Sequence, residues 1–232
     1  MTASAVVVAA AAVPLGWLGC LLASRGAGRE PWFGRPLPRF PIPEEGSRAE
    51  WLMVHAVTSA ALAVGVWRID TWERLVPYLL LVPVLVALSV IDIQTLRLPD
   101  RIVLPATAAS VVSFAFAAVI GGEPHRLLAC LVGGSTNLTF LLVAHLIHPR
   151  GMGFGDVKLS ALLGVHVGWA AADVVSALVG VFYSMLVGFL VGSVGGVVVM
   201  VARRRNAEYP FGPFLALGCL VVLLIGVDSL RA

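Results

Sequence analysis

Charge is scarce in this 232-residue chain: Asp, Glu, Lys and Arg together make up 12% of it, about half the share found in a water-soluble domain. A surface so short of charge is stable mainly against lipid, which excludes an ordinary soluble fold. Cysteine is scarcer still. Cys20, Cys130 and Cys219 each stand alone in apolar runs, so no disulfide framework and no zinc site is indicated, and no metal or other cofactor is called for. A dense basic patch is also missing. The pI is near 9.1, but the basic residues are scattered through short connecting segments, which argues against nucleic acid as a partner. The N-terminus, MTASAVVVAAAAVPLGWLGCLLAS, lacks a basic n-region, and Trp17 is a poor fit three residues before a lipoprotein-type cysteine at Cys20. It reads as a retained span and not as a cleaved signal.

What the chain does have is apolar sequence: hydrophobic residues make up 59% of it and its mean hydropathy is +0.95. A spanning helix needs about 20 apolar residues, with roughly 17–25 tolerated. Candidate runs fall at residues 4–24, 51–67, 75–91, 102–120, 127–147, 157–172, 174–201 and 214–227. The expected fold is all-α, a polytopic transmembrane helical bundle of about eight spans in a lipid bilayer. Residues 1–24 form the first span, 25–50 a proline-rich loop and 51–232 the remaining membrane domain. The short sixth run either spans or is re-entrant. Pro31, Pro36, Pro38, Pro41 and Pro43 make the 25–50 segment an extended linker, unless Trp32, Phe33 and Phe40 dock it on the membrane surface.

The odd-numbered connections carry Arg25, Arg29, Arg35, Arg39, Arg48, Arg97, Arg101, Arg150, Lys158, Arg203, Arg204 and Arg205, against Arg68, Arg74, Arg126 and Arg231 on the other side. That bias places the odd connections in the cytoplasm and both termini outside. Asp70, Glu73, Glu123, Asp173 and Asp228 then fall at the outer face, where solvation accounts for them. Two carboxylates differ. Asp92 closes the third span in ALSVIDIQTLRLPD, and Asp156 opens the sixth in RGMGFGDVKLSALLG. Both lie at the cytoplasmic boundary, at similar depth, where ionisable groups usually mark function.

Two carboxylates that share one proton can hydrolyse a peptide without metal or nucleophilic serine. Like charges a few ångströms apart cannot both ionise, so one activates water while its protonated neighbour polarises the carbonyl. Gly151, Gly153 and Gly155 remove side-chain bulk just before Asp156, which lets a substrate backbone approach. Simpler roles stay open. Asp156 and Asp100 both suit helix N-caps, and Asp92 suits an interfacial pair with Arg97 or Arg101. Lys158 is either an orienting charge or a group that holds a substrate acid or tunes the pair. His145 and His148 read as interfacial caps or as neighbours of the site, and Asn137 and Thr139 as interhelical hydrogen-bonders.

The ordered strings narrow this. GMGFGDVKL resembles the GxGD motif of type IV prepilin peptidases, membrane aspartyl peptidases that process pilin-like precursors. VIDIQTLRLPDRIVLP resembles that family's upstream string, with Asp92 in the catalytic place and Leu98, Pro99 and Asp100 as its trailing element. YPFGPFLALG, residues 209–218, resembles the closing segment. The resemblance implies that Asp92 and Asp156 are catalytic, that Gly151, Gly153, Gly155 and Lys158 belong to the active-site loop, and that 51–232 is the peptidase domain. It further implies a bacterial cytoplasmic (inner) membrane location, an active site facing the cytoplasm, and cleavage of a basic leader. The substrate would be a prepilin or pseudopilin precursor with a hydrophobic N-terminal helix, serving pili or secretion. Longer members also methylate the product and carry paired CxxC motifs. Residues 25–50 contain no cysteine, so methyl transfer is not expected to carry over. A presenilin-like protease is disfavoured because Ile91, not tyrosine, precedes Asp92. The alternative from another class is a polytopic transporter or channel with an interfacial acidic pair.

Overall fold

The structure, a computed structural model, describes residues 48–149, 152–203 and 209–230. The first expected span, nearly all of the proline-rich segment and Gly151 lie outside the described residues. Seven helices follow one another: α1 (Arg48–Arg68), α2 (Trp72–Thr95), α3 (Asp100–Gly121), α4 (Pro124–Ile147), α5 (Phe154–Ala170), α6 (Val174–Arg203) and α7 (Gly212–Ile225), with a closing 3₁₀ turn at Val227–Leu230. Among the described residues there is no strand. Backbone polarity explains that outcome, because a helix satisfies its own N–H and C=O groups where no water can.

Among the described residues four helices are long and apolar enough to cross a membrane: α2, α3, α4 and residues 174–198 of α6. This is a multi-pass membrane protein, but the expected count of about eight spans is not confirmed. The apolar part of α1, Leu52–Arg68, and α7 are shorter. The 17 residues of α5 reach about 25 Å, against a hydrocarbon core of about 30 Å. Even so, α5 lies alongside α2 from one end of that helix to the other. Its first turn stands beside the end of α2, while near its last turn Trp169 donates its indole N–H to the carbonyl of Glu73, in the first turn of α2 (3.0 Å). Thirteen of its residues, from Asp156 to Ala170, are buried. A helix apolar on every side is one surrounded by protein, and α5 is the central post of the bundle.

Small residues let α4 approach this post closely. Cβ atoms added at Gly133 or Gly164 would sit 2.7 Å from the Gly164 carbonyl oxygen and 2.8 Å from Asn137 Cβ respectively. One turn further, a Cβ at Gly168 would lie 2.8 Å from Cys130 Cα. Membrane helices associate through such backbone proximity, because lipid supplies no hydrophobic drive between them. The same interface holds a buried polar contact: Asn137 Nδ2 donates to the Ser160 carbonyl (2.8 Å), while Ser160 Oγ gives its proton to the nearer Val157 carbonyl of its own helix (2.7 Å) and lies 3.3 Å from the Asn137 carbonyl. Asn137 is thus the interhelical hydrogen-bonder expected, whereas Thr139 is exposed. Gly218 of α7 meets Gly188 of α6 in a similar way. On the other flank, Tyr78 of α2 donates its hydroxyl to the Ala61 carbonyl of α1 (2.9 Å).

Charged side chains clasp the end where α2 begins. Arg74 pairs with Asp228, and Arg126 pairs with both Glu73 and Glu123. At the opposite end α2, α4 and α6 finish while α3, α5 and α7 begin, and there the acidic residues singled out in the sequence meet.

Substituting Gly164→Val forces bulk into the α4–α5 contact. It is expected to lower stability by about 1–3 kcal/mol, read as an earlier thermal transition of the detergent-solubilised protein. An unchanged transition would mean that close packing at this glycine is not what joins the two helices.

Candidate active site

Three connections converge at this end. The helix of α2 continues to Thr95, so Asp92 is still helical and its side chain turns inward with 5% of the residue exposed. The helix stops at Leu96, whose backbone is left-handed (φ 53°) and whose N–H bonds back to the Asp92 carbonyl. Leu98 then tucks under the site as a buried anchor, and Pro99 caps the start of α3. The second connection ends at Gly153, the N-cap of α5, which places Asp156 in the first turn with 7% exposed. The third ends at Tyr209 and Phe211 and starts α7 at Gly212, followed by Pro213 in its first turn.

These segments touch through specific contacts. The backbone N–H of Gly212 donates to Asp92 Oδ2 at 2.9 Å. A Cβ at Gly212 would lie 2.9 Å from that same oxygen, so glycine is what lets the α7 backbone come so close. Gly155 faces Leu98, where a Cβ would meet the leucine Cβ at 3.0 Å. Asp156 stands just ahead of the apolar run that begins at Val157. Burial raises its carboxyl above the ordinary carboxylate range, and the nearby charge of Asp92 raises it further. Tyr209 is raised as well, first by burial and then by the charge of Asp156. Two carboxyl groups held this near, with little water, favour a state in which one of them keeps a proton.

Several expectations need correction. Neither Asp156 nor Asp100 is an N-cap: those positions belong to Gly153 and Pro99, and both aspartates sit within the first turn, where a negative charge still suits the helix dipole. Asp92 is a buried acceptor for Gly212 and not a surface group. Lys158 is committed to Asp100, 2.6 Å from Oδ1, with its ammonium 4.9 Å from the Phe154 ring centre. It ties α5 to α3 beside the acidic pair. His145 Nδ1 contacts the Met152 carbonyl at 2.9 Å, and exposed His148 closes α4. Among the described residues no group of three His, Cys, Asp or Glu side chains has the arrangement of a metal site. The pair lies at one end of the bundle, which gives no support to a transport path through its middle. Sequence reasoning missed Gly212 and Tyr209 as members of the site. Their signal was present in the YPFGP string, but no spacing rule told which residue would reach Asp92.

Fold and site together define a class: a multi-pass helical membrane protein with a buried aspartate pair at one end. The particular family follows from comparison with known proteins. Residues 79–200 match the type IV leader peptidase family, and the chain belongs to it. It is similar to the prepilin leader peptidase/N-methyltransferase of Aeromonas hydrophila, 33% identical over 78% of this chain and 60% of that protein. It is 31% identical to the counterpart in Pseudomonas aeruginosa, over 77% of this chain and 59% of that protein. The Bacillus subtilis protein of that description is 29% identical over 75% of this chain and 65% of its own length. The chain thus spans about 60% of the length of the first two of these relatives. No solved structure matches it.

The raised carboxyl of Asp156 has a consequence for stability. In the unfolded chain the group ionises near pH 4; in the folded protein it holds its proton to higher pH. The wild type therefore loses stability as pH rises from about 4 toward neutrality. Asp156→Asn carries no such charge. Its melting temperature is expected to exceed that of the wild type by a margin that widens between pH 5 and pH 8. A margin that is constant or shrinks over that range would contradict the burial argument.

Proposed function

We propose that this chain is an aspartyl endopeptidase that removes the basic leader from prepilin-like precursors at the cytoplasmic face of a bacterial inner membrane. Asp92 and Asp156 carry the reaction. The observation that supports this reading best is their convergence: two carboxyl groups 64 positions apart in the sequence, each nearly shut off from water, coupled at one end of the bundle in a member of a leader peptidase family.

The chemistry follows from a pair that shares one proton. The ionised carboxylate takes a proton from water as the water oxygen attacks the scissile carbonyl carbon, and the protonated carboxyl gives its proton to the carbonyl oxygen. The tetrahedral diol collapses as the C–N bond breaks: one diol hydroxyl gives its proton to the ionised carboxylate while the carbonyl re-forms, the protonated carboxyl gives its proton to the leaving nitrogen, and the pair is left singly protonated. The Gly212 N–H fixes Asp92 in place. Gly153 leaves room for the substrate chain, whereas Gly155 is what admits Leu98. Lys158 and Asp100 hold the start of α5 against α3 without entering the reaction. The excess of Lys and Arg in the connections that share a side with this end supports the cytoplasmic orientation. The relatives' printed name joins a peptidase to an N-methyltransferase; the reading offered here stops at the peptidase.

The test is reconstitution of the full chain with a precursor whose leader loss is followed on a gel. Asp92→Asn and Asp156→Asn are each expected to abolish cleavage while membrane insertion persists. Asp100→Asn is expected to be mild, since an exposed ion pair contributes at most about 1 kcal/mol. Full activity in either dyad variant would refute the mechanism, and a dead Asp100→Asn beside an active Asp92→Asn would move the upstream carboxylate to Asp100. Cleavage is expected to persist in EDTA, because the carboxyl groups supply both base and acid. Mass spectrometry of the product is expected to find an unmethylated new N-terminus.

A further inference from the structure

A groove of about 670 Å³ runs between α2, α3 and α5, on the side of the bundle away from the acidic pair. It starts at Trp72 and Gly121 near the charged clasp and extends inward to Val84 and Leu162. Val84 lies eight residues before Asp92 on the same helix, about 12 Å along its axis. The groove is therefore in line with the acidic pair and ends roughly two turns short of it. Its walls are apolar and open toward lipid: Leu80 is 59% exposed and Phe116 69%.

Glu73, Glu123 and Arg126 close the clasp end of the groove, and deeper in, one ionisable wall residue does not fit a surface meant for hydrocarbon. His166, 5% exposed, stands on α5 within the groove lining and was not singled out by sequence. Its Nδ1 lies 2.9 Å from the Leu162 carbonyl, which can accept but not donate, so Nδ1 carries the proton and Nε2 is a bare acceptor. The neighbour of Nε2 is Ser110 Oγ at 3.5 Å, but that hydroxyl already has the Ala106 carbonyl at 2.8 Å. One hydroxyl proton faces two acceptors, and the closer one takes it. The groove thus presents an acceptor in want of a donor, at the depth where ionisable side chains are rare and functional. Lipid acyl chains carry no donor.

We propose that this groove receives the apolar helix of the precursor beyond the scissile bond, with a hydrogen-bond donor of that helix meeting His166 Nε2. The inference rests on the peptidase reading and adds where the uncleaved part of the substrate lies. His166 is ten residues past Asp156, about 15 Å along α5. About four extended residues, at about 3.3 Å each, cover the gap from the acidic pair to the groove, and a helix that begins there brings its donor to His166 about six residues past the cut. One face of the helix fills the groove while its other face stays in lipid. Because the groove ends short of the carboxyl groups, the residues nearest the cut stay extended, as a backbone under attack must be.

The test uses the full chain in liposomes with a precursor that retains its apolar helix. A photoreactive benzophenone side chain at Ala117, in the groove wall, is expected to cross-link to that helix. Capture of lipid alone, or of the chain's own residues 4–24, would overturn the proposal. Ala109→Trp fills the groove and is expected to raise KM for this precursor about ten-fold, with kcat changed far less. Val112→Trp adds the same bulk at an exposed site outside the groove and is expected to leave KM as it is. Equal KM for wild type and Ala109→Trp would also overturn the proposal. Failure of the peptidase reading looks different: the wild type would then leave every precursor uncut.

Discussion

Holding two carboxyl groups side by side away from water is the constraint on which the rest of the molecule depends. An ionised carboxylate left alone in such surroundings would take a proton instead of staying charged. Asp92 and Asp156 persist there because each is fixed by elements with no freedom to relax. Asp92 is carried by a helix that continues to Thr95 and is gripped by the backbone of a third element at Gly212. Asp156 is carried by the most buried helix of the bundle. The unfavourable site is balanced by favourable packing elsewhere, in the glycine-lined contacts of α4 with α5 and of α6 with α7.

The two ends of the bundle divide the work. At one, Arg74, Arg126, Glu73, Glu123 and Asp228 neutralise one another in partly exposed pairs, and the Trp169 indole ties α5 to the first turn of α2. At the other, charge is left deliberately unbalanced, with glycine where side chains would crowd it. Lys158 and Asp100 form an ion pair there, set beside the acidic pair and not within it. Each arrangement uses the same kinds of residue, and what differs is how many opposite charges are within reach.

Much of this was legible in the sequence, for reasons that differ from element to element. The runs at 75–91, 102–120 and 127–147 became α2, α3 and α4 with ends a few residues further out, because the length of an apolar stretch is itself the physical requirement. The ends moved outward because backbone hydrogen bonding does not stop at the first polar side chain, which is how Asp92 came to be helical. The short run at 157–172 was harder to read. A short span, a re-entrant segment and a helix buried on all sides have the same composition, and neighbours decide among them. The acidic pair stood out because both members interrupt apolar sequence at matching depth. The Lys158–Asp100 pair and the Gly212 hydrogen bond did not, since they join residues 58 and 120 positions apart and no periodicity connects them. His166 was hidden in an apolar string for a similar reason: its importance lies in what its neighbours have already given away.

The hydrogen bond between Asn137 and Ser160 acts as a ruler. It runs from a side-chain amide to a backbone carbonyl, and Asn137 Oδ1 is left without a partner. Sliding α5 by one turn against α4, about 5.4 Å, would strand the amide donor as well as its oxygen and would drive Gly164 and Gly168 out of their slots. One position along the helix satisfies the interface, and that position also fixes how far Asp156 projects toward Asp92. The height at which Asp156 enters the site is thus tied to a contact about a turn deeper, made by an uncharged amide that never touches the carboxyl group.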